Sequence, residues 1–192
     1  MDFHFFGFFS RMKNINRWAL MRNTSNDSLS QHGHEVSALA HALAVLRNRR
    51  FGGSVNPERA ALLGVYHDMP EILTGDMPTP VKYFNSEIKS AFKKVEAIAA
   101  DRLLDALPGD LRPDFQPLFI KTEADAELWT LVKAADKLSA LIKCIEERKA
   151  GNTEFQKAEA AVRESLRQMN LPEVECFMEE FLPSYELTLD QL

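Results

Sequence analysis

The 192-residue chain is poor in cysteine, tyrosine and tryptophan, contains no run of alternating β-branched residues, and has no apolar stretch near the ~20 residues that span a bilayer. Each scarcity narrows the possibilities. The two cysteines, Cys144 and Cys176, fall in helical patterns without a CxxC spacing, which argues against a disulfide framework or a thiolate zinc site and for the reducing cytoplasm. The missing alternation leaves no sheet and predicts an all-α chain. Positive charge is also short, with 23 Lys and Arg against 28 Asp and Glu and a net charge of -5. Such a balance gives no general footprint for a nucleic-acid polymer or an anionic membrane. An anionic ligand would need local charge, from a metal and one or two cations. Histidine is limited to His4, His32, His34, His41 and His67, too few in this arrangement for a histidine-rich dinuclear centre.

What is present suits one globular domain over residues 1–192 with one active site. The aromatic start, MDFHFFGFFSRMKN, has an acid at Asp2, no basic leader and no small-residue cleavage site, so it is expected to be retained. Apolar residues at Val36, Leu39, Leu43 and Leu46 line one face of a helix expected from Ser30, as cap, to Arg50. Asn56-Pro57 opens a second helix, and Pro70 ends or kinks it just after His67-Asp68. Residues 74–80 read as a loop, and helix resumes from about Ser86 to Leu107. Residues 108–117 read as a surface connection or lid. Thr122 and Asp125 resemble a capping box for a long helix from Glu123 to Ala150, closed by Gly151. Helices over about Thr153–Met169 and Pro172–Leu182 complete the chain.

Helix phase then separates the histidines. His32 projects with the apolar face of its helix, whereas His34 and His41 project roughly opposite. His67 and Asp68 are adjacent, and Asp136 stands on the shoulder of the stripe formed by Leu131, Ala135, Leu138 and Ile142. Two imidazoles and two carboxylates, His32, His67, Asp68 and Asp136, make a ligand set for one divalent metal of the Mn to Zn series, with room for water or substrate. Each residue also has a plainer role open to it. His32 fits a hydrogen-bonded core histidine, and Asp136 a surface acid paired with Lys133 or Lys137.

The order His32, His67-Asp68, Asp136 on successive helices resembles the HD-domain metal-dependent phosphohydrolases. Residues 9–23, 30–44, 48–88, 133–147 and 150–155 are further similar to the bacterial 5′-deoxynucleotidases of the YfbR type, so the likeness covers nearly the whole chain. It implies an all-α HD-domain helical bundle, a homodimer, and hydrolysis of deoxyribonucleoside 5′-monophosphates to deoxynucleoside and phosphate. It also implies one divalent metal ion per chain, with Co2+ or Mn2+ favoured and Cu2+, Fe2+, Ni2+, Zn2+ or Mg2+ compatible. His32, His67, Asp68 and Asp136 match its metal ligands. Arg17 and Trp18 match a substrate-binding pair, and Asp76, Met77, Pro78 and Thr79 match a second substrate-contacting loop, with His32, Asp68 and Asp136 facing the same substrate. Three departures from the family pattern are His34, Gln31 and Met69-Pro70, the last of which bears on where Glu71 points.

Chemistry assigns roles to these positions. Arg17 offers a planar clamp for phosphate and Glu71 a proton for water or leaving group, with Asp68 the third catalytic residue through the metal that orients and acidifies the water. Trp18 would crowd the sugar 2′ carbon and reject a ribose hydroxyl, and Asp76 would accept a hydrogen bond from the 3′ hydroxyl. Simpler roles remain open: a helix-end cation for Arg17, a core anchor for Trp18, a first-turn acid for Glu71, a turn residue for Asp76 and a solvated side chain for Lys82. Other HD-domain phosphohydrolases acting on nucleoside triphosphates, cyclic dinucleotides or alarmones, and a non-enzymatic dimeric HD module, are the competing functions.

Overall fold

A computed structural model describes residues 2–82 and 84–192. Their regular structure is helical, with one isolated bridge between Asn16 and Ser28. In chain order the α-helices are α1 (Phe5–Phe9), α2 (Leu29–Arg50), α3 (Pro57–Tyr66), α4 (Glu71–Thr74), α5 (Thr79–Lys82), α6 (Ser86–Leu104), α7 (Arg112–Phe115), α8 (Ala126–Lys149), α9 (Gln156–Arg167) and α10 (Pro172–Glu180).

The centre is α2 and α8 packed with α3. Val36, Leu39, Leu43 and Leu46 of α2 are buried as their spacing predicts, against Leu131, Ala135, Leu138 and Ile142 of α8 and Leu63 of α3. Gly64 lets α3 approach α2 closely, because a Cβ there would lie 2.8 Å from the Ser37 Cα. A second cluster gathers Phe5, Met12, Leu29, Met69, Leu103, Leu104 and Leu107. Phe5 is buried with its ring against Phe115, and Phe8 and Phe9 pack against the same cluster, while Phe3 and Phe6 stay exposed. No helix among the described residues is long and apolar enough to cross a membrane.

Several local expectations are corrected. Ser28, not Ser30, caps α2, in a reciprocal capping box with Gln31. The Thr122 side chain makes no cap, since the chain passes through a 3-10 turn at Glu123–Asp125 and Asp125 instead pairs with Arg59 at 2.8 Å. The helix from Ser86 ends at Leu104 rather than Leu107. The stretch 108–117 is the surface connection expected, largely exposed, and it holds α7, with Phe115 packed against both clusters. Of the 74–80 segment only 75–78 is irregular, because Thr74 ends α4 and a helical turn begins at Thr79.

Candidate metal centre and substrate site

The four expected ligands converge. His32 lies in the second turn of α2, His67 caps the C-terminal end of α3, Asp68 follows it, and Asp136 lies in the middle of α8. One ligand atom from each falls within 4.8 Å of all the others. The His32 Nε2 is 3.3 Å from an Asp68 oxygen and 3.2 Å from an Asp136 oxygen, and the His67 Nε2 is 3.0 Å from Asp68.

Outer contacts orient both rings. His67 Nδ1 lies 2.7 Å from the Gly64 carbonyl, which can only accept, so Nδ1 carries a proton and Nε2 is the atom that a metal would take in place of a second one. His32 Nδ1 lies 2.9 Å from the Ser139 hydroxyl, which donates onward to Glu35 at 2.5 Å. This carboxylate–hydroxyl–imidazole relay likewise leaves the His32 Nε2 facing the carboxylates. Both Nε2 atoms are buried with no hydrogen-bond partner, an arrangement that costs free energy unless a cation sits between them. The donor set therefore fits a divalent metal.

The local field also favours positive charge. Burial pulls the His67 pKa down, but the Asp68 carboxylate outweighs it and the value rises to about 9. Burial pushes Asp68 and Asp136 up, yet the facing histidines hold both below the usual carboxylate range. His34 and His41 are exposed on the far side of α2.

Beside this group stands Arg17, its guanidinium 2.7 Å from Asp27 and 3.9 Å from Asp136. It is not a helix-end cation: it sits on irregular chain, half-buried, and its charge is held by Asp27, Asp136, Asp68 and Asp76 against the burial that opposes it. The family whose description is "5′-deoxynucleotidase YfbR-like" matches residues 4–185.

The chain belongs to the YfbR-like 5′-deoxynucleotidase family.

A 5′-deoxynucleotidase of Vibrio cholerae is 50% identical over 189 residues, covering 98% of this chain and 97% of that one. Among solved structures, an HD-domain phosphohydrolase of Listeria innocua superposes with a TM-score of 0.80 at 22% identity, covering 95% of this chain and 88% of the other. A cyanophage S-2L HD phosphohydrolase, solved with dA and one catalytic Zn2+ ion, superposes at 0.66 and 19% identity, covering 95% and 96%. The fold of the YfbR-like chain is accordingly that of the HD-domain phosphohydrolases.

The remaining expected residues of this YfbR-like chain fall into two sets. Trp18 adjoins Arg17, whose guanidinium carbon is 5.9 Å from the indole centroid, and the Trp18 backbone N–H and the Arg17 charge both favour the ionised form of Asp76. Burial raises the Asp76 pKa. Glu71 is the first residue of α4, so the helix does restart after Pro70, yet the side chain is buried rather than solvated. Burial first, then Asp68 and Asp76, push its pKa to about 9, and its Oε2 has no partner. Met77 and Pro78 are half-buried beside Asp76, and Thr79 is exposed. Hydrogen bonds of this stretch run within it, from the Val81 and Lys82 N–H groups to the Pro78 carbonyl. Lys82 is not a free surface cation: its ammonium is 2.8 Å from Glu96 and 3.8 Å from Glu71, over the Phe92 ring.

Sequence reasoning missed Asp27, Ser139, Glu35 and Glu96. Asp27 alone left a trace, as an acid in the polar run that follows Arg17-Trp18.

Proposed function

We propose that the protein is a 5′-deoxynucleotidase that hydrolyses deoxyribonucleoside 5′-monophosphates to deoxynucleoside and phosphate. The observation that carries this is the pair of buried, unpartnered imidazole Nε2 atoms facing two carboxylates, with the Arg17 guanidinium at the same opening. His32, His67, Asp68 and Asp136 would hold one divalent ion, with Co2+ or Mn2+ favoured and Zn2+, Fe2+, Ni2+, Cu2+ or Mg2+ compatible with the same donors. When bound, that ion supplies positive charge for the phosphate oxygens and makes a water acidic enough to attack.

The chain's own residues do the rest. Arg17, fixed on one side by Asp27, turns its remaining N–H groups to the phosphate as a planar clamp. Asp68 stays ionised and accepts a hydrogen bond from the attacking water, aligning it with phosphorus. Glu71 keeps its proton at neutral pH and delivers it to the departing 5′ oxygen. The Trp18 indole, backed by the Phe155 ring with centroids 5.3 Å apart, crowds the 2′ carbon and offers no acceptor to a ribose hydroxyl. Asp76 accepts from the 3′ hydroxyl, and Met77, Pro78 and Thr79 complete the wall on the base side.

Residues 1–192 act as one HD-domain unit in this reading, paired as a homodimer through apolar side chains such as Phe6, Phe84 and Ile98 that are exposed on the single chain. The free thiols of Cys144 and Cys176 suit the cytoplasm. The test is phosphate release from ribo- and deoxyribonucleoside monophosphates across divalent metals, with Asp68→Ala as control. Orthophosphate from deoxynucleotides in preference to ribonucleotides is expected. Pyrophosphate or triphosphate release from nucleoside triphosphates would reassign the activity within the HD phosphohydrolases.

A further inference from the structure

The loop of residues 15–28 is fastened to the far end of α8 by a carboxylate that the reaction above does not use. Glu147 is fully buried. Its Oε2 accepts from the Thr24 N–H at 2.9 Å, the Thr24 hydroxyl at 2.8 Å and the Asn152 amide at 2.9 Å. Its Oε1 accepts from the Ser25 N–H at 3.4 Å and from the Lys143 ammonium. Two of these donors bind the loop a second time: Asn152 donates to the Arg22 carbonyl at 2.7 Å, and Lys143 to the Ser25 carbonyl at 2.8 Å. Residues 22–25 are thus held from behind by the α8 terminus.

The other end of the same loop is strained. Trp18 has φ 58°, a left-handed conformation that is rare for a bulky residue and persists only where its surroundings over-determine it. On its carbonyl side the surroundings are the loop itself: the Trp18 carbonyl accepts the Met21 N–H at 2.9 Å and the Asn23 amide at 3.2 Å. Phe155, on which the indole lies, is buried and stands three residues beyond Asn152, on the segment that Glu147 ties down. Both the loop and the surface under its tryptophan are therefore referenced to one side chain.

We propose that Glu147 is the positioning residue for sugar discrimination: it holds the 22–25 segment against α8, which keeps Trp18 left-handed on Phe155 and its indole at the 2′ carbon. This rests on the 5′-deoxynucleotidase reading. Every group around Glu147 is a donor, so both oxygens must accept. Glu147→Gln keeps the shape but turns an NH2 toward donors on one side, loosening the loop without emptying the core.

The experiment measures kcat and KM for dAMP and AMP with the parent, Glu147→Gln and Asn152→Ala, together with Mn2+ affinity by calorimetry and thermal melting. Glu147→Gln is expected to lower the dAMP:AMP ratio of kcat/KM by about tenfold, largely through a higher KM for dAMP and a gain for AMP, with Asn152→Ala giving a smaller drop. Mn2+ affinity should match the parent, because none of the four ligands lies on the loop. An unchanged ratio in folded Glu147→Gln, or in Asn152→Ala if the glutamine variant does not fold, makes Glu147 a stability residue only and overturns the proposal. A parent that does not distinguish dAMP from AMP overturns the deoxynucleotidase reading first, and this inference with it.

Discussion

The ligand group and the loop that carries Arg17 and Trp18 are held in opposite ways. His32 and Asp136 stand on helices of 22 and 24 residues, and apolar burial on both sides fixes their backbones. Arg17, Trp18 and Asp76 stand on irregular chain, fixed by hydrogen bonds to groups far away in sequence, such as the Thr24–Glu147 contacts across 123 residues. Core packing resists single substitutions in parts, whereas a polar anchor is lost as a unit. Metal retention and sugar choice should therefore fail separately.

The largest test of that separation is Asp68→Ala. Removing a shared ligand should lower Mn2+-dependent phosphate release about a thousandfold and abolish calorimetric Mn2+ binding; a variant retaining a tenth of the parent rate would end the ligand assignment. Trp18→Ala comes next, with the dAMP:AMP ratio of kcat/KM dropping by about tenfold to a hundredfold while Mn2+ affinity holds. The reverse pattern belongs to Ser139→Ala. Breaking the Glu35–Ser139–His32 relay should weaken Mn2+ binding about tenfold and leave the dAMP:AMP ratio intact. If Trp18→Ala weakened the metal, or Ser139→Ala relaxed sugar choice, the two regions would not be independent.

Glu71 lies between them, and its effect is read as stability against pH. Its carboxyl stays protonated in the folded protein up to about pH 9 but ionises near its ordinary value when unfolded. Between those limits the folded state binds the extra proton, so this group makes the protein less stable as pH rises. In chelator-treated samples Glu71→Gln should melt with the parent near pH 4 and about 10–20 °C above it at pH 8. Equal melting at both pH values would show that Glu71 is ionised in the native state. In the loaded enzyme the same substitution should remove the fall in rate that the parent shows as pH rises through the Glu71 pKa, which a bound cation brings below its metal-free value, and a pH–rate profile checks this.

The helical frame was legible because burial has a period. Val36, Leu39, Leu43 and Leu46 announce one face of α2, and the same phase selects His32 over His34 and His41, all three of which lie as predicted. Asp136 was legible only as a shoulder position, since a half-covered face leaves acid and ligand equally compatible. The loop residues have no period: Arg17, Trp18 and Asp76 came from the family resemblance, and nothing in their spacing would have picked them out. Partners such as Ser139 for His32, 107 residues away, or Glu96 for Lys82 are products of packing. The misplaced caps share one cause. Serine at 28 and at 30 are equally good acceptors, and only the Gln31 side chain folding back on Ser28 decides between them. At Thr122 the local pattern lost Asp125 to an arginine from another helix.

Gly64 acquires a different meaning beside the imidazoles. It sits one turn before His67, gives that ring its carbonyl, and lets α3 lie so near α2 that a methyl group would strike the Ser37 backbone. The 5.1 Å between the His32 and His67 ring centres is in effect gauged by a side chain that is not there. A single added carbon at residue 64 would wedge the two helices apart and widen the cradle without touching any ligand.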